Sequence, residues 1–265
     1  MLDRDPWSLS VAPPPGPSSE RAFAETRLHR AVVWCELAPG AVVSETDLVE
    51  RFGLNRAGVR AGLVALESRG LVEALPRHGW RIRPITGILI GDVVASRRLL
   101  ESGLVLAPSN EAKLGRIAEI AQMSAVLAGR PEPAARDSLR SYDRELLEIL
   151  FDGLGDIRRR WLAEVWDHCD RLVRFFEADG THRLAPVDRR PLARACRAGD
   201  ETAARTHLAE ALGHIEAFFV AGLLARETAI DWPGETRTKR RTDAARPARR
   251  AAAPSEKPLQ PKRTV

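Results

Sequence analysis

Apolar residues recur at helical spacing along most of this chain, and glycine and proline punctuate the exceptions. Glu20–Leu37 reads as a helix with Phe23, Leu28, Ala31, Val32 and Cys35 on its apolar side, stopped by Pro39-Gly40. Ser44 then caps a short helix, with Asp47 three residues on as a capping-box acid; Leu48, Val49 and Phe52 form its buried side and Gly53 ends it. Asn55 caps Arg56–Arg69, where Val59, Leu63 and Leu66 make one stripe and Gly70 closes the helix. Leu71–Ile85 alternates loosely and turns at Pro76–Gly79, which predicts a short β-hairpin.

From Ile88 to about Thr228 the pattern is helical throughout. The predicted spans are Gly91–Leu106, Asn110–Ala128, Glu132–Leu150, Ile157–Glu177, Pro186–Arg197 and Glu201–Leu224. Six helices without convincing strands predict a bundle. Trp161, Trp166, Leu172, Phe175 and Phe176 are assigned to its core, and Trp232 to a domain edge. The expected organisation is a disordered Pro/Ser-rich leader (1–19), a helix-turn-helix head with a basic hairpin (20–85), a helical domain (86–230) and a basic tail (231–265). The fold class is mainly α.

Composition changes this picture little. Three unclustered cysteines, Cys35, Cys169 and Cys196, fit a reducing compartment better than a disulfide framework or zinc finger. Met1–Glu20 does not read as a signal peptide, and no stretch reads as the run of about 20 apolar residues a membrane span needs, so the expected location is cytoplasmic. The net charge of +5 is uneven: Gly234–Val265 holds ten Lys/Arg and three Asp/Glu, or +7, leaving −2 for the rest. Such a tail adds either nonspecific phosphate attraction or mere solubility.

The head carries the chemistry. Arg56 and Arg60 share one helical face, where an arginine forks to guanine or grips a phosphate. Thr46, near the start of the preceding helix, suits a phosphate at that N-terminus. Arg77 and His78 sit at the hairpin tip beside Gly79, and Asn55 serves as cap or base reader.

Leu37-Ala38-Pro39-Gly40, Ser44-Glu45, Asp47-Leu48, Phe52-Gly53, Arg56, Val59-Arg60, Leu63, Leu66-Glu67, Gly70-Leu71-Val72 and Gly79 together resemble the winged helix-turn-helix of GntR-type bacterial regulators. The resemblance implies operator contact by Arg56, Arg60 and the residue before the wing glycine, His78. Ala57-Gly58, Ala61-Gly62 and Val64 depart from the family's habits, and Gly62 costs its helix about 1 kcal/mol relative to alanine.

Arg97, Leu100 and Glu101, then Gly199-Asp200 with Ala203-Ala204, resemble more loosely the FCD effector domain of the FadR-like subgroup. That resemblance implies a divalent metal held by one Asp and three His. Asp143 matches the Asp, but Leu147, Arg189 and Ala211 stand at the histidine positions, so no metal or other cofactor is expected. His207 and His214 with Asp143 are the one conceivable substitute set. The expected pocket takes a small anion, a carboxylate effector by resemblance, on Arg97, Asp143, Arg189 and His214, with Arg189 salt-bridged to Asp143 in place of the ion.

No Ser/His/Asp or Cys/His arrangement and no phosphate-gripping glycine loop is evident, and His168 and Cys169 are neighbours whose side chains diverge on a helix, so no enzyme is expected. The function read from the chain is a dimeric regulator on palindromic double-stranded operator DNA, modulated by the effector. The alternatives are a protein-binding or structural winged-helix module, or a regulator that has lost effector binding.

Overall fold

The computed structural model describes residues 17–104, 110–178 and 180–225, all within one unit of the chain. The expected basic tail, Trp232 and residues 1–16 of the expected leader lie outside these residues.

Helix α1 (Pro17–Val33) begins inside the expected leader. Strand β1 (Val42–Val43), which the sequence pattern missed, follows. Helices α2 (Glu45–Phe52) and α3 (Arg56–Ser68) are joined through Gly53. Strands β2 (Val72–Leu75) and β3 (Gly79–Ile82) form the expected hairpin. The sheet is antiparallel in the order β1-β3-β2, with Val43 opposite Trp80 and Glu73 opposite Arg81. A two-residue strand is invisible to periodicity, because pairing with β3 defines it.

Local chemistry sets the helix ends. Ser44 Oγ accepts from the Asp47 N–H, and the Asp47 carboxylate accepts from the Ser44 N–H, a complete capping box. Gly53 adopts φ 63°, and Asn55 Oδ1 accepts from the Gly58 N–H at 2.6 Å. The head core joins Leu28, Val32, Leu48, Val59, Leu66 and Ile82. Phe23, assigned to that core, is 65% exposed; its neighbour Ala24 turns inward instead.

Helix α1 explains two glycines that look costly in sequence. A Cβ on Gly58 would lie 2.8 Å from Ala24 Cβ, and one on Gly62 would lie 2.9 Å from Leu28 Cδ1. Both glycines are buried on the face of α3 that meets α1. They trade helix propensity for close approach of the two helices.

The body holds α4 (Gly87–Glu101), α5 (Glu111–Leu127), α6 (Pro133–Leu150), α7 (Asp156–Glu177), α8 (Arg190–Ala198) and α9 (Glu201–Leu224). Two starts differ from the pattern. Thr86 caps α4 four residues early, and α8 starts at Arg190, leaving residues 181–189 non-helical. One core gathers Ile120, Leu146, Phe151, Trp166, Leu192 and Leu208. Another gathers Val94, Leu172, Phe175, Phe176 and Phe219 with Cys35 and Ile85 from the head side. Trp161, assigned to the core, is 54% exposed. Against expectation, α9 is long and apolar enough to cross a membrane by length and composition alone. Its Leu208, Leu212, Ile215 and Phe219 are nevertheless buried within the described protein.

Helix α7 meets the head with one face. Asp167 bonds His29 at 2.8 Å, and the His168 ring lies 3.1 Å from the Arg69 carbonyl. Arg171, fully buried, donates to the Arg83 carbonyl, and Arg174 lies 4.0 Å over the Trp34 ring.

Gly58→Ala lowers stability by about 1–3 kcal/mol despite a helix-propensity gain of about 1 kcal/mol, because Ala24 Cβ has no rotamer with which to yield. Gly213→Ala, where a Cβ meets nothing within 4 Å, raises stability by up to about 1 kcal/mol; urea unfolding midpoints compare the two. Burial holds the His168 pKa below the ordinary imidazole range; the Arg69 carbonyl and Asp167 pull it up, and Arg171 and Arg83 push it down. The unfolded chain therefore binds the proton more readily, so His168 withdraws stability as pH falls through about 6.5 and below. His168→Gln flattens the stability–pH curve in that window, measured by denaturant unfolding between pH 5 and 8.

Candidate DNA-reading surface and ligand cavity

The start of α3 lies beside the start of α2, and this juxtaposition positions the sequence-selected arginines. Arg56 is exposed, and its Nη2 donates to Thr46 Oγ1 at 3.2 Å. Arg60, whose side chain is 68% exposed, donates from Nε and Nη2 to the two oxygens of Glu45, each at 3.0 Å. Hydrogen bonding from Arg60 holds the Glu45 carboxyl below its usual range. An ion pair this open to solvent adds little to stability. The pairing of Glu45 with Arg60 is not visible in the sequence, since an acid at the front of a helix is ordinary there.

The hairpin tip presents Arg77 and His78, both exposed. The turn closes through the His78 N–H on the Leu75 carbonyl at 2.9 Å, with Arg77 in the left-handed region at φ 67°. Two other selected residues are engaged within the fold. Asn55 caps α3 through its oxygen and donates its Nδ2 to Glu20 at 2.6 Å. Gly79 has φ 89°, and a Cβ there would lie 2.5 Å from the Val43 carbonyl oxygen, so its placement serves the contact with β1.

In the body, α5, α6, α7 and residues 183–189 enclose a cavity of about 700 Å³. Seven arginines and three acids line it, among apolar walls that include Leu147, Trp166 and Ile215. Arg97, Asp143 and Arg189 all lie there. His214 does not: it is exposed on α9, while the next residue, Ile215, faces the cavity, as successive helical positions diverge.

Arg189 is 4% exposed and bonds Asp143 Oδ1 through Nε at 2.6 Å. Its Nη1 is buried without a hydrogen-bond partner, a donor left to be satisfied. Arg97 is committed more tightly: Nε donates to Glu101 at 2.7 Å and Nη1 to Cys169 Sγ at 3.2 Å, while Trp166 Nε1 donates to the same Glu101 oxygen at 2.8 Å. The deep setting of Asp170 pushes its carboxyl up to about 6, against the pull of Arg144. Arg144, Arg136, Arg140 and Arg183 also line the cavity; sequence reading missed them because arginines are scattered over every helix. The metal arrangement implied by resemblance does not fit: Leu147 and Ala211 are buried hydrocarbons and Arg189 carries the cation's charge. Among the described residues no three His, Cys, Asp or Glu side chains come together as a metal-holding group.

Residues 21–82 match the family of bacterial regulatory proteins called gntR. An uncharacterized HTH-type transcriptional regulator in an unstable DNA locus of Streptomyces ambofaciens is 34% identical over 77 residues, covering 29% of this chain and 33% of that protein. The HTH-type transcriptional repressor RspR of Escherichia coli K12 is 34% identical over 59 residues, 22% of this chain and 26% of that one. The matches thus span a third or less of these relatives. Among solved structures, a putative transcriptional regulator GntR from Rhodococcus sp. RHA1 superimposes with a TM-score of 0.60 at 21% identity, covering 77% of this chain and 98% of that one. McbR/YncC of E. coli gives 0.57 at 16% identity, with the same coverages. These structures share the fold, and residues 21–82 are a helix-turn-helix domain of the gntR family within a mainly helical chain.

Proposed function

We propose that the protein is a sequence-specific, DNA-binding transcription regulator of GntR type. It acts as a homodimer on a palindromic operator, and a small anionic effector in the helical cavity modulates it. The observation that carries this reading is the joint exposure of Arg56 and Arg60 on the first turns of α3, beside the start of α2. A helix so presented enters a major groove, with Thr46 at a phosphate and Arg77 and His78 on flanking backbone or minor groove. Asn55 and Gly79 act by shaping that surface.

The helical body is read as an FCD-type effector and dimerisation domain of the FadR-like subgroup, spanning residues 86–230. Its opening helix carries the Arg97–Glu101 pair, and its cavity is rich in arginine. The unpartnered Arg189 donor suits a carboxylate placed directly on protein, without a metal. Buried within the protein, the apolar positions of α9 suit a core helix of a cytoplasmic, nucleoid-associated protein.

Selection from a random duplex library enriches one palindrome. On that sequence Arg56→Ala and Arg60→Ala each weaken binding by about 1–3 kcal/mol and relax base preference where they touch. Arg77→Ala weakens all duplexes alike and lowers the salt slope by about one. Failure to enrich any sequence at moderate salt overturns the reading in favour of a protein-binding module.

A further inference from the structure

We infer that Asp167 is the strut through which the cavity acts on the DNA-reading head, its two carboxylate oxygens holding one group from each. Oδ2 meets His29 Nε2 of α1 at 2.8 Å, and Oδ1 accepts from Arg144 Nη2 of α6 at 2.7 Å. The inference rests on the reading of the cavity as an effector site and names how that site regulates the head.

The three side chains are 13% (Asp167), 25% (His29) and 22% (Arg144) exposed, so the pairs are partly withdrawn from solvent screening. Burial raises the Asp167 carboxyl, but His29 and Arg144 outweigh it and hold the group ionised below its usual range. Among the four α7 side chains that grip the head, Asp167 alone bonds directly to a cavity-lining cation. His168 and Arg171 end on the carbonyls of Arg69 and Arg83. Arg174, over Trp34, reaches the cavity-lining Arg140 only through Asp137, a longer route.

Arg144 is placed to exchange partners. It lines the cavity, and besides Asp167 it bonds Glu148 at 3.0 Å and the Ala163 carbonyl at 3.3 Å. Its Nη1 is buried, 3.5 Å from Asp170 and in no hydrogen bond. A carboxylate or phosphate entering the cavity finds this donor and draws the guanidinium away from Asp167. Among the described residues, the carboxylate then keeps His29 as its close partner. Helix α1 carries His29 and packs on α3 through Ala24 and Leu28 against Gly58 and Gly62, so a change at His29 lies one packing layer from Arg56 and Arg60. The coupling must be reciprocal: operator binding alters anion affinity by the same factor.

The test uses the full chain with 13C-labelled histidine, the His29 ring signal assigned by His29→Gln. Without any ligand, Arg144→Gln is expected to move the His29 signal and speed amide exchange in α1. Arg136→Gln, on the same cavity wall but bonded to the Pro131 carbonyl, leaves both unchanged. An unmoved His29 signal in Arg144→Gln, or equal movement in both variants, overturns the strut. Should Arg144→Gln fold poorly by circular dichroism, Arg144→Lys and Asp167→Asn carry the same readouts.

Benzoate and inorganic phosphate are then titrated as separate probes, to distinguish a carboxylate from a phosphate ligand. The active probe moves the His29 signal in the native protein, and in Asp167→Asn it still binds but its effect on operator affinity falls by about fivefold or more. If a probe binds and shifts operator affinity equally in Asp167→Asn, the strut is overturned. If neither probe binds while Arg144→Gln alone moves His29, the strut stands and the anionic-effector reading is what fails.

Discussion

Helix α7 serves as a wall for two different compartments, and the junction of head and body depends on it. Asp167, His168, Arg171 and Arg174 turn toward the head. Trp166, Cys169, Asp170 and Val173 turn toward the cavity. The helical period separates these sets, since residues three or four apart return to the same side.

The contacts on the head side are polar and partly or fully buried, and that determines how they behave. Arg171 has no exposed surface, and burial lowers its pKa to about 10, although it remains charged at neutral pH. Its Nε and Nη1 have no hydrogen-bond partner. Polar contacts withdrawn from water are costly when left half-satisfied, so they favour discrete arrangements over gradual drift. An interface of hydrocarbon alone would slide more easily. The hydrophobic share of this junction, Cys35 and Ile85 against Leu172 and Phe176, supplies adhesion, and the polar share supplies registry.

Charge reaches the cavity on side chains. Arg189 brings a positive charge to Asp143 on a covalent tether, and its guanidinium offers several directed donors where an ion would offer open coordination positions. Leu147 and Ala211 are buried and offer no ligand atoms. The surrounding arginines make the space attractive to an anion, while its largely apolar walls favour an organic one.

Much of this was legible in the order of residues. Helix ends at Ser44, Gly53 and Asn55, the hairpin about residues 76–79 and the helical run of the body follow from caps, breakers and periodicity, which act within a few residues of themselves. Arg56 and Arg60 were selected by their shared face for the same reason. What the chain order could not show depends on partners far away in sequence. Phe23 and Trp161 are exposed among the described residues, β1 exists only through β3, Gly58 and Gly62 are explained only by α1, and His214 misses the cavity by one helical position. The meeting of His29, Asp167 and Arg144 joins three helices, 138 residues apart at the widest bond. Local propensity and pattern thus determined the helices and the hairpin, while β1 and the pairing of charges across elements were decided by tertiary packing, because a side chain's partner is a property of space and not of chain order.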